Sequence, residues 1–342
     1  MANNPIKDRA MGAIMGTLIG DALGLGCHWY YDLSELKADY GDWVSDYTSS
    51  KTDRKDNFAK IAKLRHEAGL RAGDVSQTGQ VTILLLESLA ERGAYDEPDF
   101  TSRFDALLET IDGTPFSGRY TDWAVRDVWK QRKSGMDWQQ VGSMADTSEA
   151  AMRSTILAAR FFKDPEGLSN VCYQNIRLTH RDPYIVSQSL SFALTVSTLI
   201  GDPELSNIGR HMSQLSGQGG IRELVPSFDC LTQVANGAVA VSSGVSVQPA
   251  SLVGSIYGLA CTLGFMLPAA YYLIHRYPKD FEMAVLSAVN GGGNNMARAA
   301  LTGALSGAMV GLARIPERFI SGLKDGERLL QLAEKVASEA LA

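Results

Sequence analysis

Apolar positions along this chain recur at helical spacing and almost nowhere alternate. Ile14, Leu18 and Ala22 repeat at i+4 within residues 7–23, which gives that stretch one apolar face. Phe100, Phe104, Leu107, Leu108 and Ile111 do the same after Pro98-Asp99, and Ala284, Val285, Ala288 and Val289 do so after Asp280, a plausible N-cap. The same periodicity predicts helices over 79–92, 148–163, 185–200, 229–240, 294–313 and 326–341. Alternating β-branched runs bounded by turns are essentially missing. The pattern therefore predicts an all-α fold of many helices, without heptads long enough for a coiled coil. No composition break marks a linker, so a single domain over residues 1–342 is expected.

Two glycine stripes add a packing constraint. Gly12, Gly16 and Gly20 stand every fourth residue on the first helix, and Gly303, Gly307 and Gly311 repeat the spacing near the end. A glycine inside a helix costs up to about 1 kcal/mol relative to alanine, so three in register suggest close approach by another backbone. The simplest arrangement packs the two stripes on each other, antiparallel; the alternative is that each meets some other helix. One further segment, Ser251 to Ile274, is uncharged and long enough to suggest a membrane span. Pro268, several hydroxyl residues and three tyrosines make a buried helix, broken near Pro268, the better expectation.

Composition narrows the classes. The chain has 342 residues, 45% hydrophobic and 20% charged, with a formal charge of -6, which opposes a sequence-independent grip on nucleic acid. The locally basic stretch from Lys51 to Arg71 is interleaved with Asp53, Asp56 and Glu67 and reads as a solvated loop and helix face. No basic n-region leads into an apolar run at the start, and Cys27, Cys172, Cys230 and Cys261 are scattered. A cytoplasmic protein with no nucleic-acid or membrane partner, no disulfide framework and no zinc site is expected; the oligomeric state stays open.

Chemistry has three polar, glycine-bearing junctions to sit in. They are Gly20 to Trp29, Gly73 to Gln80, and Asn290 to Arg298. The second and third end at helix N-termini, where free N–H groups favour an anion, so a site for an anionic small molecule is one reading. Ordinary turns are the other, since Gly, Asn and Ser also turn corners. Asp21, His28 or His180 could act as a general base, and Cys27 beside His28 invites a thiolate dyad; both sets also fit structural roles. Asn295 and Arg298 could touch a ligand phosphate or cap the late helix.

These loops, in this order, resemble the ADP-ribosylglycohydrolase family. The likeness is carried by Gly16 to Gly24, Ala150-Ala151-Met152-Arg153, Leu178-Thr179-His180-Arg181-Asp182-Pro183, and Asp280 to Gly293 followed by Gly303-Ala304 and Gly307. It spans about residues 7–313 and implies the family's compact all-α fold. It also implies what should be present: active members hold two Mg²⁺ through a Thr-Asp-Asp triplet in the second loop and Asp-x-Asp-Thr/Ser in the third, with a gating Glu after the first. This chain places Ser76-Gln77-Thr78 at the triplet, Asn294, Met296 and Ala297 at the later positions, and His28 at the gating position. Mg²⁺ needs hard oxygen ligands, usually with one or two carboxylates. The expectation is therefore no metal site, no cofactor and no assigned catalytic residue. What remains is a set of ligand-pocket candidates: Asp21, His28, Ser76, Gln77, Thr78, Gly292, Gly293, Asn294 and Asn295. The stretches 26–32, 76–80 and 146–149 are similar to the jellyfish J-crystallins and the related selenoprotein J of fishes. That resemblance implies a catalytically silent, soluble lens-type protein with a vestigial pocket. A metal-independent hydrolase of an ADP-ribose-type N-glycosidic bond, or a module binding ADP-ribose or a nucleotide, are the alternatives.

Overall fold

The computed structural model describes residues 4–226 and 228–341, and its regular elements are helices. In chain order they are α1 (Pro5–Leu25), α2 (Leu33–Tyr40), α3 (Ala59–Glu67), α4 (Gln77–Arg92), α5 (Glu97–Leu108) and α6 (Trp123–Lys133). Next come α7 (Glu149–Phe161), α8 (Pro165–Arg177), α9 (Pro183–Gly201), α10 (Leu205–Ser216), α11 (Gly219–Leu224) and α12 (Phe228–Ser242). The last six are α13 (Val253–Tyr257), α14 (Leu263–Arg276), α15 (Phe281–Val289), α16 (Asn295–Val310), α17 (Glu317–Gly322) and α18 (Gly326–Glu339). Among the described residues there is no strand, and extended pairing is limited to two lone bridges, Tyr30 with Gly293 and Ser143 with His180.

Helix starts follow local chemistry. Asn4, Asp96, Asp164 and Asp182 each accept a backbone N–H of the helix they precede, and each of those helices carries proline in its first turn. Asp280 caps α15 through Met283 N at 3.0 Å, as its position suggested. Burial follows composition. α1 is buried from Ala10 to Leu25 and α16 from Asn295 to Met309, because both are uncharged or apolar nearly all round. They form the centre around which α7, α9, α14 and α15 pack.

The two glycine stripes do pack on each other, antiparallel. A Cβ on Gly12 would stand under 3.0 Å from Gly307 O, one on Gly16 from Gly303 O, and one on Gly20 from Ala299 O. Gly24 extends the seam by one turn and meets Met296. Gly311 closes the seam at its far end, its carbonyl carbon under 3.0 Å from where a Cβ on Gly12 would stand. That residue ends α16 with φ 81°, a left-handed conformation that glycine adopts without strain, and Asp8 lies where its Cβ would be.

The uncharged stretch from Ser251 breaks elsewhere than expected. α13 ends at Gly258 with φ 132°, α14 begins at Leu263, and Pro268 lies inside α14. Glycine backbone, and not proline, makes the break. Among the described residues, the helix that is long and apolar enough to cross a membrane is instead α9, whose apolar window is 83% buried within the protein.

Candidate functional site

The first and second junctions are joined by a buried carboxylate. Asp21, fully buried on α1, accepts Ser76 N at 2.7 Å and Ser76 Oγ at 2.6 Å. Ser76 Oγ in turn accepts Gly79 N at 3.1 Å and caps α4. Burial pushes the Asp21 carboxyl up to about 6, against the pull of the Ser76 hydrogen bonds and of Arg119 and Arg65. Asp21 thus ties α1 to the N-terminus of α4, and its oxygens are spent on that task.

The first and third junctions are joined by Asn295. Its Oδ1 takes His28 Nδ1 at 2.9 Å, and its Nδ2 donates to Cys27 O at 3.1 Å and Val289 O at 3.0 Å. Since Oδ1 can only accept, His28 carries its proton on Nδ1. Burial, then the nearby Arg65, holds His28 neutral far below its ordinary range. Cys27 points back at α1, with Sγ 3.8 Å from Leu23 O and Gly24 O, and burial pushes its thiol up to about 11. Cys27 and His28 therefore form no dyad; the structural alternative holds.

Gly292 and Gly293 let the third junction fold back on the first. Both have positive φ, 64° and 59°, and Gly293 N donates to Tyr30 O at 2.6 Å while Trp29 N donates to Gly293 O at 3.0 Å. Arg298 lies wholly inside, donating to Ala288 O at 3.0 Å and Gly292 O at 2.6 Å, so it braces the loop from below. His180 is also held in place, by Thr179 Oγ1 at 2.9 Å and Thr147 Oγ1 at 3.1 Å, and burial drives it down to about 3.

Gln77 and Asn294 are different. Both are buried, and neither Gln77 Oε1 nor Asn294 Oδ1 has a hydrogen-bond partner. Gln77 makes one long contact, Nε2 to Thr121 Oγ1 at 3.4 Å. An unsatisfied buried carbonyl costs about 1–3 kcal/mol, so these two acceptors are held at a cost by the surrounding fold. Thr78 is buried in the first turn of α4 and accepts Thr82 Oγ1 through its carbonyl at 2.9 Å.

The donor set does not fit a pair of Mg²⁺ ions. Ser76 is consumed, Gln77 and Asn294 offer neutral carbonyls, Met296 packs with Leu25 and Leu70, and Ala297 has no donor. No group of three or more His, Cys, Asp or Glu side chains is placed to hold a metal among the described residues.

The tertiary structure adds residues that the loops alone did not indicate. Trp29, with φ 65°, lays its indole 4.4 Å from the His28 ring, 5.3 Å from Phe58 and 4.7 Å edge-on from Tyr120. Arg65 lies 5.1 Å over that indole, buried, with Nε unpartnered and its pKa pulled to about 10 by desolvation. Arg54 donates to His28 O and Trp29 O at 3.0 Å each and pairs with Asp56. Two cations of the supposed solvated stretch are thus packed inside, because each finds a main-chain acceptor and an aromatic face there. Nearby, Glu149 meets Thr147 and lies 3.3 Å from His180, and burial raises the carboxyls of both Glu149 and Asp122. Asp122, N-cap of α6, follows the polar turn Ser117-Gly118-Arg119 and lies outside the three glycine-bearing junctions.

A model of the ADP-ribosylglycohydrolase family matches residues 2–341, more of the chain than the motifs span. Crystallin J1A of Tripedalia cystophora is 22% identical over 365 residues, covering 98% of this chain and 98% of that protein. The ADP-ribosyl-(dinitrogen reductase) glycohydrolase of Rhodospirillum rubrum is 23% identical, covering 94% and 92%. A solved structure described as an ADP-ribosylglycohydrolase-related protein complex superposes with a TM-score of 0.64 at 20% identity, over 98% of this chain and 99% of that one.

Proposed function

The chain belongs to the ADP-ribosylglycohydrolase family, and from that premise we propose that it is a catalytically silent member with a structural role. One observation carries the proposal: at the metal-ligand positions stand Gln77, Asn294, Met296 and Ala297, none of them a carboxylate. The similarity to a protein named a crystallin supports a soluble, lens-type use of the fold. Two Mg²⁺ ions side by side repel strongly unless anionic ligands offset their charge, and here nothing would. Of the loop carboxylates, Asp21 is already bound by Ser76, and Asp74 by Arg71, Arg119 and Lys324.

Calorimetric titration of Mg²⁺ and Mn²⁺, beside a hydrolysis assay on ADP-ribosylated arginine, tests this. No stoichiometric metal and no turnover are expected; metal-dependent turnover would sink the proposal.

A second role is compatible with the first, and the unpartnered Gln77 Oε1 and Asn294 Oδ1 favour it. They are acceptors for the donors of an ADP-ribose-like ligand held without metal. Titrating ADP-ribose in the presence of a chelator is the check. Heat that disappears in Gln77→Asp and Asn294→Asp, both still folded, supports the binding role; no heat in the parent protein removes it.

A further inference from the structure

A separate cavity of about 270 Å³ lies between α4, α5 and the start of α18, and none of the nine pocket candidates lines it. Its floor is apolar, formed by Val75, Ile83, Leu84, Leu107 and Leu329. Its rim carries both signs of charge: Arg119, Lys324 and Arg328 against Asp74, Glu87 and Asp325.

The partnering on this rim is uneven. Asp74 Oδ1 alone receives both Lys324 Nζ, at 2.9 Å, and Arg119 Nη2, at 3.4 Å, because Oδ2 accepts Arg71 N at 2.9 Å. Arg328 reaches Glu87 at 2.8 Å, and that carboxylate also faces Arg103 at 3.7 Å. Asp325 stands at the N-cap of α18 without capping it, so its helix makes no claim on its carboxylate. The Lys324 and Arg328 side chains are 57% and 51% exposed, and beyond their contacts to Asp74 and Glu87 each carries further N–H groups that an entering carboxylate can accept.

We propose that this cavity binds a small zwitterion with an apolar side chain, that is, a free apolar α-amino acid. The side chain covers the leucine and isoleucine floor, which supplies the attraction. The carboxylate lies toward Lys324 and Arg328, and the ammonium toward Asp325. A ligand of one sign meets like charge as well as opposite on this balanced rim. A neutral ligand whose two charges are a few ångströms apart matches cations and an anion that lie within five residues of one another, at 324, 325 and 328.

Titration of L-phenylalanine, phenylacetate and phenethylamine into the full chain tests the proposal. Phenylalanine is expected to saturate, with each singly charged analogue at least about tenfold weaker. Asp325→Asn and Lys324→Ala, both at exposed positions, are each expected to weaken phenylalanine about tenfold, while Lys335→Ala leaves it unchanged. Phenylacetate binding as tightly as phenylalanine overturns the assignment of Asp325. No saturation up to the solubility limit of phenylalanine, or indifference to both variants, overturns the site. Neither result touches the silent-member proposal, which rests on other residues.

Discussion

Asp21 illustrates how a residue that looks chemical becomes structural. Its carboxyl is raised from 3.8 to about 6 by burial, although it accepts two hydrogen bonds from Ser76. A raised carboxyl favours the protonated fold: its contribution is complete below pH 3.8 and is lost as pH climbs through about 6. Two units correspond to about 3 kcal/mol. Asp21→Asn keeps an acceptor for Ser76 N and cannot titrate. The parent protein should therefore gain about 2 kcal/mol on this variant between pH 7 and pH 4, read from denaturant unfolding at each pH. A difference that stays flat with pH would contradict the burial of an ionised Asp21. At this scale the sequence singled out loops but not the partners of their residues. Asn295 as the hub for His28 and Cys27, and Arg65 under Trp29, depend on residues far apart in the chain.

At the scale of elements, the glycine seam between α1 and α16 is the strongest link between sequence and packing. A Cβ on Gly303 would fall under 3.0 Å from backbone atoms of Gly16, which cannot swing aside as a side chain does. Gly303→Ala should cost at least about 2 kcal/mol by thermal or chemical unfolding, since the two helices must move apart. Gly201, at the end of α9, has open space where its Cβ would be. Gly201→Ala should change stability by less than about 1 kcal/mol, in the stabilising direction. Equal losses for the two variants would deny that close approach selects the seam glycines. The antiparallel pairing was legible because a helical period in glycine is costly unless a backbone fills the groove. The break at Gly258 was not, since whether Pro268 or Gly258 ends a helix is decided by which strain the neighbours can absorb.

For the whole molecule, the silent-member proposal implies independence from divalent metal. A ligand that binds the native state raises stability by mass action, so a functional dinuclear site would show in the melting temperature. The midpoint should be the same with chelator and with excess Mg²⁺. A rise of several degrees on adding Mg²⁺ would place ions in the cleft after all. Reinstating single carboxylates at Gln77 and Asn294 should not restore this response, because the Met296 and Ala297 positions still supply no suitable ligand.

The sequence by itself determined the helical class, most helix positions and the central glycine seam, because these follow from period, caps and the cost of glycine. It also determined that Gln77, Asn294, Met296 and Ala297 carry no carboxylate, since side-chain chemistry is read directly from the letters. Only the tertiary structure decided what each polar group does. Asp21 is a strut, His28 is clamped neutral by Asn295, and Gln77 and Asn294 keep free acceptors, because hydrogen-bond satisfaction depends on which groups meet. The rim of Lys324, Asp325 and Arg328 over the apolar face of α4 was equally invisible, since it joins segments some 240 residues apart, such as Arg328 and Glu87.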